Sequence, residues 1–346
     1  MKRASNLWIF AVLTCLVLSV FGCKEEPAAE EQGGKESAKE TTAEDAKALG
    51  DIKIGVSMYT LGAPYFVAQY ETLKAEAERL GLGFAGMNAR DDMNIQLNQV
   101  EDLLAQGIDL LIFNPKDPQG SIPATNMATE AGVPVIVIDS SIDPSADFVT
   151  TVQSNNRENG ILIGEWLVKQ MNGEPIKMAL ISGVPGNPVG FTRRNGVFTG
   201  IIEGLLRTKN RTDWQIVTQG WGEWYQEGGL QAMEDIIVAH PEINVMLAEN
   251  DSMALGAIEA IKEAGREDDI LVLACADGQK EALALIKEGK YGATGMNNPV
   301  LIARTAIDIG LRYMKGERGF PQKSYTLAVC ITKENVDKYY DPEAIF

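Results

Sequence analysis

The stretch Ser57–Tyr70, SMYTLGAPYFVAQY, joins a short strand to a helix. The apolar run Ile52–Met58 leads into it, Gly62 lies in a turn, and Tyr65 and Phe66 follow in the first turn of the predicted helix. A strand, a tight turn and a helix begin a βαβ unit. Phosphate-binding loops place glycines at this point. Two large aromatic rings there indicate a different kind of ligand.

The same alternation continues from Asp51 onward. Short apolar runs bounded by Gly, Pro or Asn are typical of strands buried on both faces. Their alternation with helical patterns predicts right-handed βαβ units and parallel sheets. The predicted strands are Ile52–Met58, Gly83–Met87, Leu110–Phe113, Val135–Ile138, Lys177–Ser182, Gln215–Thr218, Val245–Ala248, Leu271–Cys275 and Gly292–Gly295. The predicted helices are Pro64–Leu80, Ile95–Gln106, Ser121–Ala131, Arg157–Met171, Arg193–Leu206, Gln226–Ala239, Met253–Ala264, Glu281–Lys287 and Pro299–Met314.

These units are too many for one compact sheet, and a polar break occurs at Ser154-Asn155-Asn156. The sequence therefore predicts an α/β fold of two doubly wound parallel-sheet lobes joined near this break. Ligands of such sheets bind beyond the carboxyl ends of the strands. Two facing lobes would frame a single cleft.

Polar and aromatic side chains follow nearly every predicted strand. Carboxylates, amides and guanidinium groups bond to hydroxyls, and aromatic rings cover the apolar faces of a sugar. We predict a site for a small neutral sugar or polyol, with Tyr65 and Phe66 on one side and Trp224 on the other. Arg193 and Arg194 begin the predicted helix Arg193–Leu206, and only one of these two arginines is expected to face the cleft. The polar candidates at the strand ends are Asn114, Asp139, Ser140, Asn250, Asp277 and Asn297.

Each of these positions has a structural alternative. An Asp or Asn after a strand often caps the next helix, which is our interpretation of Asp251 and a competing one for Asn114 and Asp139. Phe66 fits a core position by its helical spacing, and Trp221 fits a surface position. The coincidence at so many strand ends favours a binding site.

The first residues have the pattern of an export signal. Lys2 and Arg3 precede the apolar run Leu7–Phe21, and Gly22-Cys23 follows. The segment LSVFGC resembles the lipobox of bacterial lipoproteins, so we predict a lipoprotein signal peptide over 1–22 and lipidation of Cys23. Ordinary cleavage beside a chance cysteine is the alternative. Residues 23–50 are polar and lack aromatic residues, which predicts a disordered tether.

Composition narrows the function further. The formal charge of −17 argues against nucleic acid and anionic membrane surfaces as partners. The single histidine, His240, fits a solvated turn, and no metal-ligand spacing is present. No Gly-rich phosphate loop follows a strand, and a carboxylate pair of Asp139 with Asp277 is explained equally by hydroxyl binding. We therefore predict a protein that is not an enzyme and has no cofactor or metal. Whether Cys275 and Cys330 pair is left open.

From Lys53 to about Lys333 the chain resembles periplasmic sugar-binding proteins of the ribose-binding type, the type I substrate-binding proteins of ATP-driven importers. The motifs TLGAPYF, LLIFNPKD, VPVIVIDS and AENDSMALGAIEAI, with ADG after them, carry the resemblance. It implies a three-segment hinge near Gln153, Asn298 and Leu327. The lobes would then be 51–153 plus 298–326 and 154–297 plus 327–346. The implied sugar contacts are Tyr65, Phe66, Asn114, Asp139, Arg194, Trp224, Asn250, Asp277 and Asn297.

The chain departs from the ribose-binding pattern at Ala63, Ser140, Trp224 and Asn297, where that pattern has Asn, Arg, Phe and Gln. We therefore expect a different pentose, a hexose, a polyol or a cyclitol rather than ribose.

The resemblance implies a monomeric extracytoplasmic protein, held at the membrane by lipid on Cys23, that delivers its ligand to the permease of an ABC importer. The alternative is a sensor that presents a sugar or furanose signal to a chemoreceptor or sensor kinase. A cytoplasmic repressor of the same fold is excluded by the export signal and by the lack of a DNA-binding helix-turn-helix.

Overall fold

The structure is a computed structural model, and it describes residues 49–346. The predicted signal peptide, Cys23 and nearly all of the predicted tether lie outside the described residues. The strands are β1 Lys53–Met58, β2 Gly83–Asn88, β3 Leu110–Asn114, β4 Val135–Ile138, β5 Thr150–Ser154, β6 Lys177–Ser182, β7 Gln215–Trp221, β8 Val245–Ala248, β9 Leu271–Asp277, β10 Ala293–Met296, β11 Lys323–Thr326 and β12 Cys330–Thr332. The helices are α1 Pro64–Leu80, α2 Met93–Ala105, α3 Ile122–Glu130, α4 Asn156–Met171, α5 Pro188–Lys209, α6 Gln226–Ala239, α7 Asp251–Glu263, α8 Lys280–Glu288 and α9 Pro299–Met314.

The strands form two six-stranded sheets. The first has the order β11-β5-β4-β3-β1-β2, and every pairing in it is parallel. The second has the order β12-β10-β9-β8-β6-β7, with β12 antiparallel to β10. The predicted fold of two doubly wound lobes is thereby confirmed. In the described residues the chain passes between the sheets after β5, after β10 and after β11.

Helix ends follow local sequence signals. α1 covers its predicted range because Pro64 occupies its first turn and Gly81, at φ 73°, ends it in the left-handed conformation. α5, by contrast, begins five residues before the predicted start, at Pro188 instead of Arg193. The Asn187 side chain caps it by accepting hydrogen bonds from the next two free backbone N–H groups. The earlier start places Asn187 and Val189 at the cleft between the lobes.

The helices α4 and α5 pack against each other almost backbone to backbone. A Cβ added at Gly160 would overlap the carbonyl oxygen of Arg193, and one added at Gly164 would overlap that of Val197. Glycine is needed at these positions because any side chain would force the helices apart. The close approach fixes where the start of α5 lies relative to the second sheet.

The strand β5 was not among the strands predicted from the sequence. Its sequence TTVQS has no long apolar run, yet all five residues are buried between β4 and β11. The Thr150 hydroxyl is satisfied by bonding to the Pro321 carbonyl oxygen at 2.7 Å. A polar strand can therefore lie inside the sheet, because its hydroxyls find partners there.

None of the helices in residues 49–346 is both long and apolar enough to cross a membrane.

Candidate functional site

A cavity of about 100 Å³ lies where the carboxyl ends of the two sheets face each other. Its lining residues lie at the carboxyl end of β9 or in the loops and first helical turns that follow β1, β4, β6, β7, β8 and β10. Its lining residues are Tyr59, Ala63, Tyr65, Phe66, Asp139, Ser140, Asn187, Val189, Arg193, Trp224, Asn250, Ser252, Asp277 and Asn297. The position is the one that the topology of two doubly wound sheets predicts for a ligand.

The first lobe contributes a cluster of aromatic rings. Tyr65 is 7% exposed, and its ring meets Phe66 edge to face with the centroids 5.3 Å apart. Phe66 also meets Tyr59 at 5.0 Å, and the Phe346 ring, from the C-terminal segment, meets Tyr65 at 5.5 Å. Such edge-to-face contacts hold each ring in one orientation. Phe66 lies partly against the core of the first lobe and partly in the cavity, so both interpretations of it apply.

Asp139 is the charged group of the first-lobe wall. Its Oδ1 accepts a hydrogen bond of 2.8 Å from the Tyr65 hydroxyl. Burial in the cleft raises the pKa of Asp139 to about 6, although the Tyr65 hydrogen bond and the more distant Arg193 both favour the charged form. This carboxyl therefore titrates within the physiological range.

Arg193 is the charged centre of the second-lobe wall and is 4% exposed. Its guanidinium donates to Asn156 Oδ1 at 2.9 Å, to the Glu249 carbonyl oxygen at 3.0 Å and to Asp277 Oδ1 at 2.9 Å. Burial opposes its charge, but the nearby Asp277 and Asp139 carboxylates hold its pKa above the usual range. Arg193 is therefore a fixed cation that orients Asp277.

Asn297 joins the two walls. Its Nδ2 donates to Asp277 Oδ1 at 2.8 Å, and its Oδ1 lies 3.1 Å from the Tyr65 hydroxyl. Polar contacts thus follow one another from Asp139 through Tyr65, Asn297 and Asp277 to Arg193, and the single hydroxyl hydrogen of Tyr65 is donated to Asp139, the nearer of its two acceptors. These contacts cross from one lobe to the other at the cavity.

Trp224 forms the aromatic part of the second-lobe wall. The Arg193 guanidinium lies 5.8 Å from the centroid of its ring, within the range of a cation–π contact. A Cβ added at Gly183 would overlap the indole, so the ring lies directly against that glycine. The Asn250 side chain donates to the Trp224 carbonyl oxygen at 3.1 Å and also caps α7 through Met253 N–H. These contacts hold Trp224 although its φ of 71° is unusual for a large residue.

Two predicted residues do not reach the cavity. Arg194 is not a lining residue and pairs with the buried Glu249 at 2.6 Å, whereas Arg193 lines the cavity. Asn114 is fully buried, with its Nδ2 directed at Gln69 Oε1 at 3.3 Å beneath α1. The structure corrects the expectation of a cleft position for both.

The interpretation of Asp251 as a helix cap is also wrong. Asn250 caps α7, whereas the Asp251 carboxylate accepts hydrogen bonds from Gly278 N–H, Gln279 N–H and the Tyr291 hydroxyl. Burial raises the pKa of Asp251. This carboxylate holds the loop that carries Asp277.

Sequence reasoning left four lining residues without a role, namely Tyr59, Asn187, Val189 and Ser252, and it chose Arg194 where Arg193 lines the cavity. The Asn-Pro pair at residues 187 and 188 is a helix-start signal that would have found the correct beginning of α5. Helical spacing would then have separated the two arginines, because Arg193 continues the buried stripe of Gly190, Gly196 and Val197.

The remaining sequence expectations concern reactive side chains. Cys275 and Cys330 are free thiols, and the strand β10 lies between the strands that carry them. His240 ends α6. Within residues 49–346, no group of three or more His, Cys, Asp or Glu side chains is placed to hold a metal ion.

The fold and the cavity together define a two-lobed α/β protein with a cavity between the carboxyl ends of its two sheets. The sequence profile of the periplasmic binding protein domain matches residues 54–318. The chain is 34% identical over 311 residues to the ribose import binding protein of Bacillus subtilis, covering 89% of this chain and 94% of that protein. The chain therefore belongs to the periplasmic binding protein family, of the ribose-binding type, whose members are substrate-binding proteins and not enzymes.

Solved structures resemble the fold closely. A periplasmic solute-binding protein of an ABC transporter from Actinobacillus succinogenes, with bound D-allose, has a TM-score of 0.76 and 27% identity, covering 84% of this chain and 100% of its own. A solute-binding protein of an ABC transporter from Bacillus halodurans, with bound myo-inositol, has a TM-score of 0.75 and 28% identity, covering 86% and 99%.

Proposed function

We propose that this protein binds a neutral monosaccharide, polyol or cyclitol outside the cytoplasm, between its two lobes, and delivers it to the permease of an ABC importer. The observation that carries the proposal is the row of polar contacts from Asp139 through Tyr65, Asn297 and Asp277 to Arg193, flanked by aromatic rings of both lobes. Two carboxylates and an amide offer acceptors to ligand hydroxyls, and Arg193 forms an ion pair of 2.9 Å with one of those carboxylates, Asp277.

The aromatic walls suit a ring with both hydroxyls and apolar faces. Tyr65 and Phe66 on one side and Trp224 on the other would cover the C–H faces of a sugar ring or cyclitol. The relatives named above bind ribose, D-allose and myo-inositol by their descriptions, and all three are neutral polyhydroxy compounds. Ala63 and Ser140, which line the cavity, are smaller than the Asn and Arg that the ribose-binding pattern has at these positions. This difference favours a ligand other than ribose.

Binding would close the lobes. The lobes proposed to move as units are 51–153 with 298–326 and 154–297 with 327–346. Contacts from both walls stabilise the arrangement in which the lobes meet, so the ligand shifts the population toward it. Lipid on Cys23 would keep the monomeric protein at the membrane beside its permease.

The test is the thermal melting midpoint of the purified protein against pentoses, hexoses, polyols, inositols, nucleosides and amino acids. A ligand at a hundredfold its dissociation constant adds about 2.7 kcal/mol of stability, which raises the midpoint measurably. We expect a shift with a sugar, polyol or inositol that is strongly reduced in Asp139→Ala and is smaller than that of the wild type in Trp224→Ala. A shift confined to nucleosides or amino acids would contradict the proposal.

A further inference from the structure

The carboxylate of Glu249 lies behind the second-lobe wall of the cavity. Glu249 directly follows β8, is 1% exposed and is not a lining residue. Both of its carboxylate oxygens are used: Oε2 accepts from Gly183 N–H at 2.9 Å, and Oε1 accepts from the Arg194 guanidinium at 2.6 Å. A buried carboxylate needs such partners, because an unpaired one is strongly destabilising. The two partners belong to different segments of the wall.

The first partner supports the Trp224 ring. A Cβ added at Gly183 would overlap the indole, so the ring rests on the Gly183 backbone. The Gly183 carbonyl oxygen also accepts from Glu223 N–H at 3.1 Å, directly before Trp224 in the chain. A displacement of Gly183 would therefore move the ring. Only this one residue separates the Glu249 carboxylate from the aromatic part of the wall.

The second partner belongs to the helix that carries the cation of the wall. Arg194 follows Arg193 in α5, and the same helix packs on the Glu249 carboxylate at Gly190, where an added Cβ would overlap Oε2. The backbone of Glu249 takes part as well, because its carbonyl oxygen accepts from Arg193 at 3.0 Å. One residue thus fixes the position of α5, with its cavity cation, relative to the loop beneath Trp224.

We propose that Glu249 is a positioning residue for ligand binding, whose carboxylate holds Arg193 and Trp224 in the geometry that they present to the ligand. The inference rests on the proposed sugar or polyol site and adds to it a residue outside the cavity lining. The position needs a carboxylate because two donors converge on it. The amide of Glu249→Gln has a single acceptor oxygen, so either Gly183 N–H or Arg194 would face its NH2 group.

The test follows the Trp224 ring in the empty protein. Labelling with a fluorinated tryptophan gives each indole its own fluorine NMR resonance, and Trp224→Phe identifies the resonance of Trp224 by its disappearance. We expect Glu249→Gln to shift or broaden that resonance by more than its wild-type line width, while the resonance of Trp166 in α4 stays in place. A purely stabilising ion pair would instead lower the melting midpoint and leave the Trp224 resonance unchanged.

Two matched variants separate positioning from general effects. Glu165→Gln makes the same chemical change in another pair with an arginine of α5, since Glu165 Oε1 accepts from Arg207 at 2.7 Å. Ile201→Val removes one buried methylene from α5 and lowers stability without altering the Glu249 bonds. We expect the wild-type Trp224 resonance in both.

A second variant keeps the test decisive if Glu249→Gln does not fold. Arg194 is 22% exposed, and Arg194→Met is similar in length but donates no hydrogen bond. It leaves the bond from Gly183 in place, so we expect a smaller but measurable shift of the Trp224 resonance. A folded Glu249→Gln or Arg194→Met protein with the wild-type resonance would overturn the proposal.

The melting panel adds a binding measurement. For myo-inositol, D-allose or whichever compound raises the midpoint, Glu249→Gln should weaken binding about tenfold, which corresponds to one misaligned hydrogen bond to a charged group. Wild-type affinity of Glu249→Gln for that compound would also overturn the proposal. A panel without a binder would refute the proposed ligand class, and the fluorine resonance of the empty protein would still decide the role of Glu249.

Discussion

The two walls of the cleft each carry a carboxylate, but the carboxylates are held differently. Asp277 in the second lobe accepts hydrogen bonds from Arg193 and Asn297. Asp139 in the first lobe has the Tyr65 hydroxyl as its close donor and a pKa raised to about 6 by burial. The second wall is therefore a prearranged ionic network, whereas the first is an aromatic surface around one poorly compensated acid. A ligand hydroxyl that donates to Asp139 should therefore contribute more binding free energy than one that donates to Asp277.

The largest effect is expected from breaking the second wall. Arg193→Met leaves Asp277 without its cation and should destabilise the protein by about 3–5 kcal/mol. Urea unfolding measures this loss, and ligand binding should fall below detection. Arg157→Met, at an exposed position of α4, is the control and should resemble the wild type. Wild-type stability in Arg193→Met would contradict the ionic network.

Replacing the carboxylate of the first wall, Asp139, should increase the stability of the empty protein, whereas breaking the second wall lowers it. Asp139→Asn removes a buried carboxylate whose raised pKa costs stability at neutral pH, so the melting midpoint of the empty protein should rise. The ligand would lose a charge-assisted hydrogen bond worth about 1.5–3 kcal/mol, or roughly tenfold to a hundredfold in affinity. Calorimetry and melting measure the two effects. A lower midpoint with unchanged affinity would contradict the difference between the walls.

Measuring ligand affinity and stability of the wild-type protein as a function of pH tests the role of Asp139 without a substitution. Below pH about 6 the Asp139 carboxyl is protonated in the empty protein, and it then loses acceptor capacity for ligand hydroxyls. Affinity should fall by up to about tenfold per pH unit below that value. Stability of the empty protein should change in the other direction, because the folded pKa lies above the unfolded one and the penalty disappears as pH falls toward about 4. Asp139→Asn should flatten both profiles, and a wild-type affinity that is constant from pH 7 to pH 5 would rule out this role.

The aromatic part of the second wall should matter less than its charges. Trp224→Ala removes a ring face worth about 0.5–1.5 kcal/mol beyond its buried area, so we expect an affinity loss of about twofold to tenfold. Trp221→Ala provides a matched control, because Trp221 is 43% exposed and lies outside the cavity lining. Equal losses in the two variants would exclude a specific stacking role for Trp224.

The smallest effect is expected at the support of the first wall. Phe346 meets the Tyr65 ring edge to face at 5.5 Å, and the Lys280 amino group holds the segment by donating to the Ala344 carbonyl oxygen. Phe346→Ala should weaken binding by about twofold to fivefold, because an aromatic pair contributes about 0.5–1.5 kcal/mol and Phe346, which is not a lining residue, acts on the ligand only through Tyr65. Ile345→Ala, an exposed neighbour, is its control. No difference between these variants in titration calorimetry would show that Tyr65 needs no such support.

The sequence predicted the fold because βαβ alternation is a local signal. Apolar runs such as Val135–Ile138 form strands with the predicted limits, and Pro64 and Gly81 mark the ends of α1. The strand β5 was missed because its polar side chains are satisfied only by distant segments such as Pro321. Long-range partners of that kind leave no pattern in the surrounding residues.

The site was predictable where position along a strand alone decides which side chain reaches the cleft. Asp139, Asp277 and Asn297 lie at the cavity for that reason. The choice between Arg193 and Arg194 depended on the register of α5, and therefore on a start signal five residues earlier. The direction of Asn114 depended on Gln69 of another element. Secondary-structure propensities of single residues carry no information about such tertiary contacts.

The most direct test is a crystal structure of the protein with the sugar, polyol or inositol that raises its melting midpoint most. We predict the ligand ring between Phe66 and Trp224, with hydroxyls donating to Asp139 on one lobe and bonded to Asp277 or Arg193 on the other. A ligand outside this cavity, or one that contacts only one lobe, would contradict the proposed function and the contrast between the two walls.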